Sequence, residues 1–173
     1  LTEIDFPKGL KIIPSKLFAN CSSLKSVSIP HGVKKIEEGA FSGCTSLQKI
    51  ILPEGIASIG NDAFENCVSL KSIKIPNSVV SFGDNALSGC AFLENVILGN
   101  GITKIPEACF VGQKRLKEVV VGSGMTEIGD RAFRNCTALQ SFSCQVEAAK
   151  PASKGMAFEM LVSGSAGVKT STN

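Results

Sequence analysis

The residues best suited to chemistry in this sequence are its seven cysteines, since it contains one histidine and neither tryptophan nor tyrosine. A thiolate next to a base is a nucleophile, and four thiolates that converge hold a zinc ion. His31 is the only imidazole available as such a base, and it follows Pro30 at a predicted turn. No cysteine pair has the C-x2-C spacing of common zinc sites. A histidine-based triad would therefore need His31, and a site with several histidine ligands is excluded.

Five cysteines share one spacing, which is 23 positions or a multiple of that interval: Cys21, Cys44, Cys67, Cys90 and Cys136. Gln113 occupies the position that this spacing leaves open, and Cys109 lies four residues before it, on the same side of a helical turn. One thiol in each repeat favours a ladder of small buried apolar side chains. Disulfides between neighbouring repeats remain an alternative, although seven is odd and equivalent side chains point the same way.

The apolar residues follow the same interval as the cysteines. Leucine recurs at every 23rd position without an insertion, at Leu1, Leu24, Leu47, Leu70, Leu93, Leu116 and Leu139. Further apolar columns begin at Ile4, Phe6, Leu10, Ile13, Leu17 and Phe18. A unit of this length is too small to bury its own apolar face, so it must stack on copies of itself. The sequence therefore predicts a solenoid.

Each unit begins with the alternation of a strand. In residues 24–30, Val27 and Ile29 alternate with Ser26 and Ser28, which is the pattern of a strand with one buried face. Stacked units then form one parallel sheet whose strands are about 4.8 Å apart. Proline or glycine follows each of these strands and ends it.

The second half of each unit is predicted to return along the opposite side of the solenoid. It reads EEGAFSGC in the second unit, which is too short for an independent helix. We expect a single helical or 3-10 turn there. Asn61, Asp84 and Asp130 precede three of these turns and are candidate N-caps for them.

The fourth and fifth units depart from the pattern. Leu87 replaces the usual phenylalanine, and we expect Phe82 or Phe92 to return the lost volume. Gln113 opens the most basic stretch of the chain, for which we expect a solvated polar turn. The cations of that stretch are Lys114, Arg115 and Lys117.

The units resemble the BspA-like, or Treponema-type, leucine-rich repeats. The family's unit reads roughly LxxIxIPxxVxxIgxxAFxxCxx, and here residues 24–46 read LKSVSIPHGVKKIEEGAFSGCTS. Residues 47–69 read LQKIILPEGIASIGNDAFENCVS. The resemblance implies an α/β solenoid, a right-handed leucine-rich-repeat superhelix with a parallel β-sheet on one face and short helical or 3-10 turns on the other.

The repeat pattern divides the chain into three parts. Residues 1–138 hold six tandem repeats of equal length, with the period of 23 unbroken throughout. Residues 139–161 resemble the degenerate C-terminal repeat or cap of surface proteins from gut Bacteroidetes, with Cys144, Pro151 and Ala157-Phe158 at matching places. Residues 162–173 are a tail rich in Ser, Gly and Thr. Because Leu1 begins directly on a strand pattern without a polar capping unit, we expect further sequence before it.

Charge and hydropathy argue against several classes of partner. A formal net charge of +3 at pH 7, with both signs interspersed, is no footprint for nucleic acid. No apolar run approaches the ~18 residues of a membrane-spanning helix. The sequence shows no acid–base constellation, metal set or phosphate-binding loop, so we expect neither an enzyme nor a cofactor.

With the core assigned to the columns, function is left to the outward positions of the strands. Solenoids generally bind partners on such extended surfaces. Ile51, Ile97 and Val120 are apolar at positions predicted to be exposed, which is typical either of a contact patch or of strand propensity alone. The candidate partner-binding residues on this sheet face are Ile51, Lys74, Ile97, Val120, Lys71, Glu94 and Lys117.

The resemblance implies a bacterial protein that is extracellular or held at the cell surface. We expect a non-enzymatic protein-interaction module of adhesion type, a monomer whose partner is a host matrix protein or another surface protein. The alternative is a structural spacer within a larger surface protein, with no ligand of its own. The lack of Trp and Tyr, with only three Arg, predicts weak or multivalent binding, because these residues dominate interface hot spots.

Overall fold

Two short strands recur along the chain in almost every unit of the repeat. The computed structural model describes residues 4–144 and 169–170. Its strands are β1 (Ile12–Ile13), β2 (Ser26–Ser28), β3 (Lys35–Ile36), β4 (Lys49–Ile51), β5 (Ser58–Ile59), β6 (Ser72–Lys74), β7 (Ser81–Phe82), β8 (Asn95–Ile97), β9 (Lys104–Ile105), β10 (Glu118–Val121), β11 (Glu127–Ile128), β12 (Ser141–Cys144) and β13 (Lys169–Thr170).

All the strand pairs are parallel, and within the repeats the residues that face each other are 23 apart. The first ladder has two parts. In one, Val27 of β2 lies opposite Ile50 of β4, and in the other β6, β8, β10 and β12 pair in the same register. A second ladder joins β1, β3, β5 and β7, and β9 pairs with β11. The repeat interval of the sequence therefore sets the register of strand pairing in both ladders. The described chain is a parallel β-solenoid of about six turns. The short second ladder was not predicted.

Burial follows the predicted alternation. In β2 and β6 the central residue is buried, and both its neighbours are exposed. Deep in the core lie the residues of the leucine column, which have no exposed surface at Leu24, Leu47, Leu70, Leu93 and Leu116. The columns thus supply one continuous core in which every unit buries its apolar side against the units on either side.

A stack of phenylalanines runs through this core. The rings of Phe18 and Phe41 are stacked with centroids 5.2 Å apart, and those of Phe41 and Phe64 are 5.7 Å apart. Leu87 interrupts the stack, which resumes between Phe110 and Phe133. Offset stacking at such distances stabilises aromatic pairs beyond their burial alone.

The helical or 3-10 turns expected in the return half are not seen among the described residues. The described residues contain no helix, and the return half consists of successive turns. Its backbone bonds to the next unit: Phe41 N–H donates to Ala63 C=O at 2.8 Å, and Phe64 N–H donates to Ala86 C=O at 2.9 Å. These bonds between units alternate with tight-turn bonds inside the segment, such as Ser42 N–H to Gly39 C=O at 3.0 Å, so the described return halves form no continuous helical ladder.

Two residues in each return half have positive φ, which a right-handed helix does not allow. In the second and third units these are Gly39 and Gly43, then Asp62 and Asn66. The same two positions are positive in every described unit, even at Ala108, whose φ is 52°. With left-handed backbone at both positions, every second amide of the segment points toward the neighbouring unit. In the second unit these are the amides of Gly39, Phe41 and Gly43.

The predicted N-caps have a different role. Asp84 N–H donates to Asn61 Oδ1 at 3.0 Å, and Glu107 N–H donates to Asp84 Oδ1 at 3.1 Å. Each side chain therefore accepts from the equivalent backbone amide one unit later rather than from its own turn. Asp130 accepts through its backbone carbonyl, from Ala108 N–H at 3.0 Å.

The C-terminal predictions lie largely outside the described residues. β12 continues the first ladder, and β13 pairs with β12 in parallel. Pro151 and Ala157-Phe158 are outside the described part, as is the predicted tail 162–173 apart from Lys169–Thr170. The division at 138 and 161 stays a prediction.

Candidate functional site

The predicted partner-binding residues lie on the outward side of the first ladder and in the turns that lead into it. We call this surface the strand face, defined by residues 23–28, 46–51, 69–74, 92–97 and 115–120. Lys74, Ile97 and Val120 are direct neighbours across β6, β8 and β10. Ile51 is 48 % exposed at the end of β4, which has no ladder partner in β6. Their role in binding stays a prediction.

Lys71, Glu94 and Lys117 form a second row on this face, one residue before the strands. Glu94 N–H donates to Lys71 C=O at 2.9 Å, and Lys117 N–H donates to Glu94 C=O at 2.8 Å, so the three backbones are adjacent. Lys117 Nζ also donates to Glu94 Oε2 at 2.9 Å. This bond holds the pKa of the Glu94 carboxyl below its usual value, and Arg115 and Lys71 lower it further.

An exposed cation–π pair borders this row, and the sequence prediction of the site missed it. The Arg115 guanidinium carbon lies 4.2 Å from the centre of the Phe92 ring. Phe92 is 42 % exposed, so the expectation that it returns core volume at Leu87 was wrong, whereas Phe82 does pack against the core. The two residues are 23 apart, and that spacing was the signal that they stack.

Four of the five column cysteines, all but the half-buried Cys21, are a hydrogen-bonded part of the core rather than a reactive site. Each described column thiol from the second unit onward donates to the carbonyl of the phenylalanine-column residue 26 positions earlier. The Sγ–O distances are 3.1 Å from Cys44 to Phe18, 3.2 Å from Cys67 to Phe41, 3.3 Å from Cys90 to Phe64 and 2.9 Å from Cys136 to Phe110. All seven cysteines are free thiols in the structure.

Burial suppresses the thiolate form of these residues. It raises the pKa of Cys44 to about 11 and those of Cys90 and Cys136 to about 12. The pKa values of Cys67 and Cys109 are also raised, with desolvation as the main cause. Since the thiolate is the nucleophile and the metal ligand, the column is poorly placed for either chemistry.

Gln113 keeps this ladder intact, which contradicts its predicted place in a solvated turn. Its side chain has no exposed surface, and its Nε2 donates to Leu87 C=O, the bond that a column cysteine makes in other units. Its Oε1 is buried and has no hydrogen-bond partner among the residues that the structure describes. The amide is longer than a thiol, and Cys109 beside it is also fully buried. Only the contact with the preceding unit reveals this role.

Thiol modification tests the burial pattern. We expect the half-buried Cys21 and the exposed Cys144 to react rapidly with a chromogenic disulfide reagent. The other five thiols should react at least about a hundredfold more slowly, because the chain must open first. In denaturant all seven should react at once. The variant Cys144→Ser should lose one fast equivalent, and a third fast thiol in the unmodified chain would contradict the described core.

A metal site and a membrane-spanning helix each place requirements on the rest of the described surface. No group of three or more His, Cys, Asp or Glu side chains in the described part is arranged to hold a metal. Among the described residues no helix combines the length and hydrophobicity needed to cross a bilayer. Two shallow depressions of about 230 and 310 Å³ lie on the side of the second ladder, around Lys104.

The fold and its columns define the class of the protein: it is a leucine-rich repeat solenoid. The model of the BspA type leucine rich repeat region matches residues 11–140 in six copies. The chain therefore belongs to the BspA-type leucine-rich repeat family, as its repeat unit predicted. No curated protein matches it.

Solved structures agree with this assignment. The leucine-rich repeat protein of T. pallidum is 29 % identical with a TM-score of 0.54, over 80 % of this chain and 72 % of that one. A leucine-rich repeat protein from Bacteroides ovatus is 26 % identical with a TM-score of 0.53, over 81 % of this chain and 48 % of that one. The pneumococcal vaccine antigen PcpA shares the fold, with a TM-score of 0.81 at 23 % identity over 99 % of this chain and 41 % of its own.

Proposed function

We propose that this chain is a non-enzymatic protein-interaction module of adhesion type, exposed at the cell surface, that binds its partner through the strand face. The observation that carries the proposal is the exposed pair of Phe92 and Arg115, which borders the row of Lys71, Glu94 and Lys117. Aromatic residues and arginine are enriched at the centres of protein interfaces, and both side chains here project from the turns that lead into hydrogen-bonded strands.

The rigidity of the strand face supports this assignment. The parallel ladder of β6, β8 and β10 fixes its backbone at a constant register, with Val120 opposite Ile97 and Ile97 opposite Lys74. A surface that is already ordered loses little conformational entropy on binding. Membership of the BspA-type family supports the location at the cell surface. The partner class proposed is a protein, either of a host matrix or of another cell surface.

Binding to a panel of purified extracellular matrix proteins tests the proposal. Ile51→Ser on the strand face is compared with Val80→Ser beside the second ladder, since both replace an exposed β-branched residue, 48 % and 68 % exposed. We expect Ile51→Ser to weaken binding about three- to tenfold and Val80→Ser to leave it unchanged. Equal effects of the two variants would remove the strand face from the proposal.

The alternative function is a structural spacer in a larger surface protein. Serines in the first strand of this face and in β12, the strand beyond its last one, favour the spacer, because they present little area to a partner: Ser26, Ser28, Ser141 and Ser143. A spacer predicts no binding to any panel protein above that of a variant with its strand-face residues scrambled.

A further inference from the structure

Charge is distributed unevenly around the solenoid. The strand face carries six lysines and arginines against two carboxylates. The rest of residues 4–144 carries nine cations against ten carboxylates. The small net charge of the chain therefore conceals one surface that is distinctly basic. The cations of the strand face are Lys25, Lys49, Lys71, Lys74, Arg115 and Lys117.

A carboxylate of the chain itself lies within this basic surface. Glu94 is flanked in neighbouring units by Lys71 and Lys117, whose backbones are bonded to its own at 2.9 and 2.8 Å. Among the described residues, Lys117 alone makes a direct ion pair with it, at 2.9 Å. One carboxylate between two lysines, with Arg115 nearby, leaves an excess of positive charge at this point of the face.

Apolar surface lies next to these charges. Phe92 is 42 % exposed below the Arg115 guanidinium, and it stands two residues before Glu94. In the strand that follows, Ile97 lies against Val120, and both are partly exposed. The surface thus offers cations and apolar side chains at neighbouring positions.

We propose that this part of the strand face binds an acidic polypeptide segment, one of whose carboxylates replaces Glu94 as the partner of Lys117. Arg115 and Lys71 attract the remaining negative charge, and Phe92, Ile97 and Val120 receive apolar side chains of the same segment. This inference rests on the proposed function and specifies the chemistry of the partner. In this proposal Glu94 competes with the carboxylate of the bound segment for Lys117.

A polypeptide fits this surface better than a sulfated polysaccharide does. Both would satisfy the cations, but a polysaccharide has no aliphatic side chains to cover Ile97 and Val120. Positive charge interspersed with apolar residues is complementary to a segment in which acidic and apolar residues alternate. The polysaccharide is therefore an outcome of the test that would count against the proposal.

Binding of a labelled peptide tests the inference, because two variants should change the affinity for the peptide in opposite directions. The probe is a short fluorescein-labelled peptide in which glutamates flank leucine, followed by anisotropy at low salt, with the glutamine version of the peptide as a blank. Glu94→Gln should tighten binding about twofold to fivefold, because the competing carboxylate is gone. Lys117→Gln should weaken it by a similar factor, and added salt should weaken it in all variants.

The chain offers a matched control pair on the second ladder. Lys104 pairs with Glu127 at 2.7 Å, and the side chains of Lys104 and Lys117 are both 52 % exposed. Lys104→Gln and Glu127→Gln should leave peptide binding unchanged. These variants change the net charge of the protein by the same amounts as the test variants, so a general charge effect would appear in both pairs.

Three results would overturn the inference: no gain in Glu94→Gln, equal binding of the glutamine peptide, or no loss of peptide binding in a Phe92→Ser variant, since the cations alone would then account for binding. Its failure is distinguishable from failure of the proposed function. A matrix protein whose binding is weakened by Ile51→Ser and unaffected by Glu94→Gln would leave the interaction module standing and remove the acidic partner.

Discussion

Gln113→Glu is expected to cost at least about 3 kcal/mol of stability at neutral pH, although it exchanges one side-chain atom for another. Gln113 has no exposed surface, its Nε2 donates to Leu87 C=O, and its Oε1 has no hydrogen-bond partner in the described part of the chain. A carboxylate at this place would face a carbonyl oxygen, with neither a donor nor a cation to compensate its charge. The penalty is that of an unpaired buried charge.

The loss should depend on pH with a definite sign. Burial would raise the pKa of a glutamate at position 113 above its unfolded value of about 4.3. Below that value the carboxyl is protonated in both the folded and the unfolded chain, and it can donate to Leu87 C=O as the amide does. As pH rises through the raised folded pKa, the destabilisation reaches its full size. Urea unfolding at pH 4 and pH 7.5 measures the difference.

Two further variants control this experiment. Gln48→Glu makes the same substitution at an exposed position and should change stability by less than about 0.5 kcal/mol. Gln113→Cys restores the thiol found in the other units and should stay within about 1 kcal/mol of wild type, since it keeps a donor for Leu87 C=O. A Gln113→Glu protein as stable as Gln48→Glu at pH 7.5 would show that the amide is solvated.

Phe64→Ala is expected to cost about 3–5 kcal/mol, the usual range for removing a fully buried aromatic ring. Phe64 has no exposed surface and stacks on Phe41 at 5.7 Å, with Leu87 rather than a ring on its other side. Neighbouring units cannot close the gap, because the pairing of β5 with β3 and β7 and the backbone bonds from Phe41 to Ala63 and from Phe64 to Ala86 set their spacing. The cavity should also weaken the coupling between the units before and after it.

Phe92→Ala is the matched control, because it deletes the same ring from a site that is 42 % exposed. It removes the contact with Arg115 and should cost no more than about 1 kcal/mol. Thermal and urea unfolding followed by circular dichroism measure both variants. A larger loss in Phe92→Ala than in Phe64→Ala would contradict the placement of the two rings.

The sequence alone was enough to predict the core and the strand face. An uninterrupted repeat interval requires equivalent side chains to stack, so the leucine column, Val27 and Ile50 had to be interior. Alternation within the strand then assigned Lys74 and Ile97 to the outward side. Core burial and the outward side of each strand depend only on the pattern within a unit and on its repetition, so the sequence of any one repeat is enough to predict them.

The tertiary structure decided everything that depends on contacts between units. The return half has the length of a helical turn, yet Phe41 bonds to Ala63 in the next unit, and residues with positive φ make that bond possible. Gln113 looks like a surface residue until Leu87 C=O is placed beneath it, and Phe92 looks like a core residue until Arg115 covers it. Polarity and size predict where a side chain goes on average. A buried hydrogen bond or an exposed cation–π pair is determined by a partner one unit or slightly more away along the chain, and only the stacked structure supplies that partner.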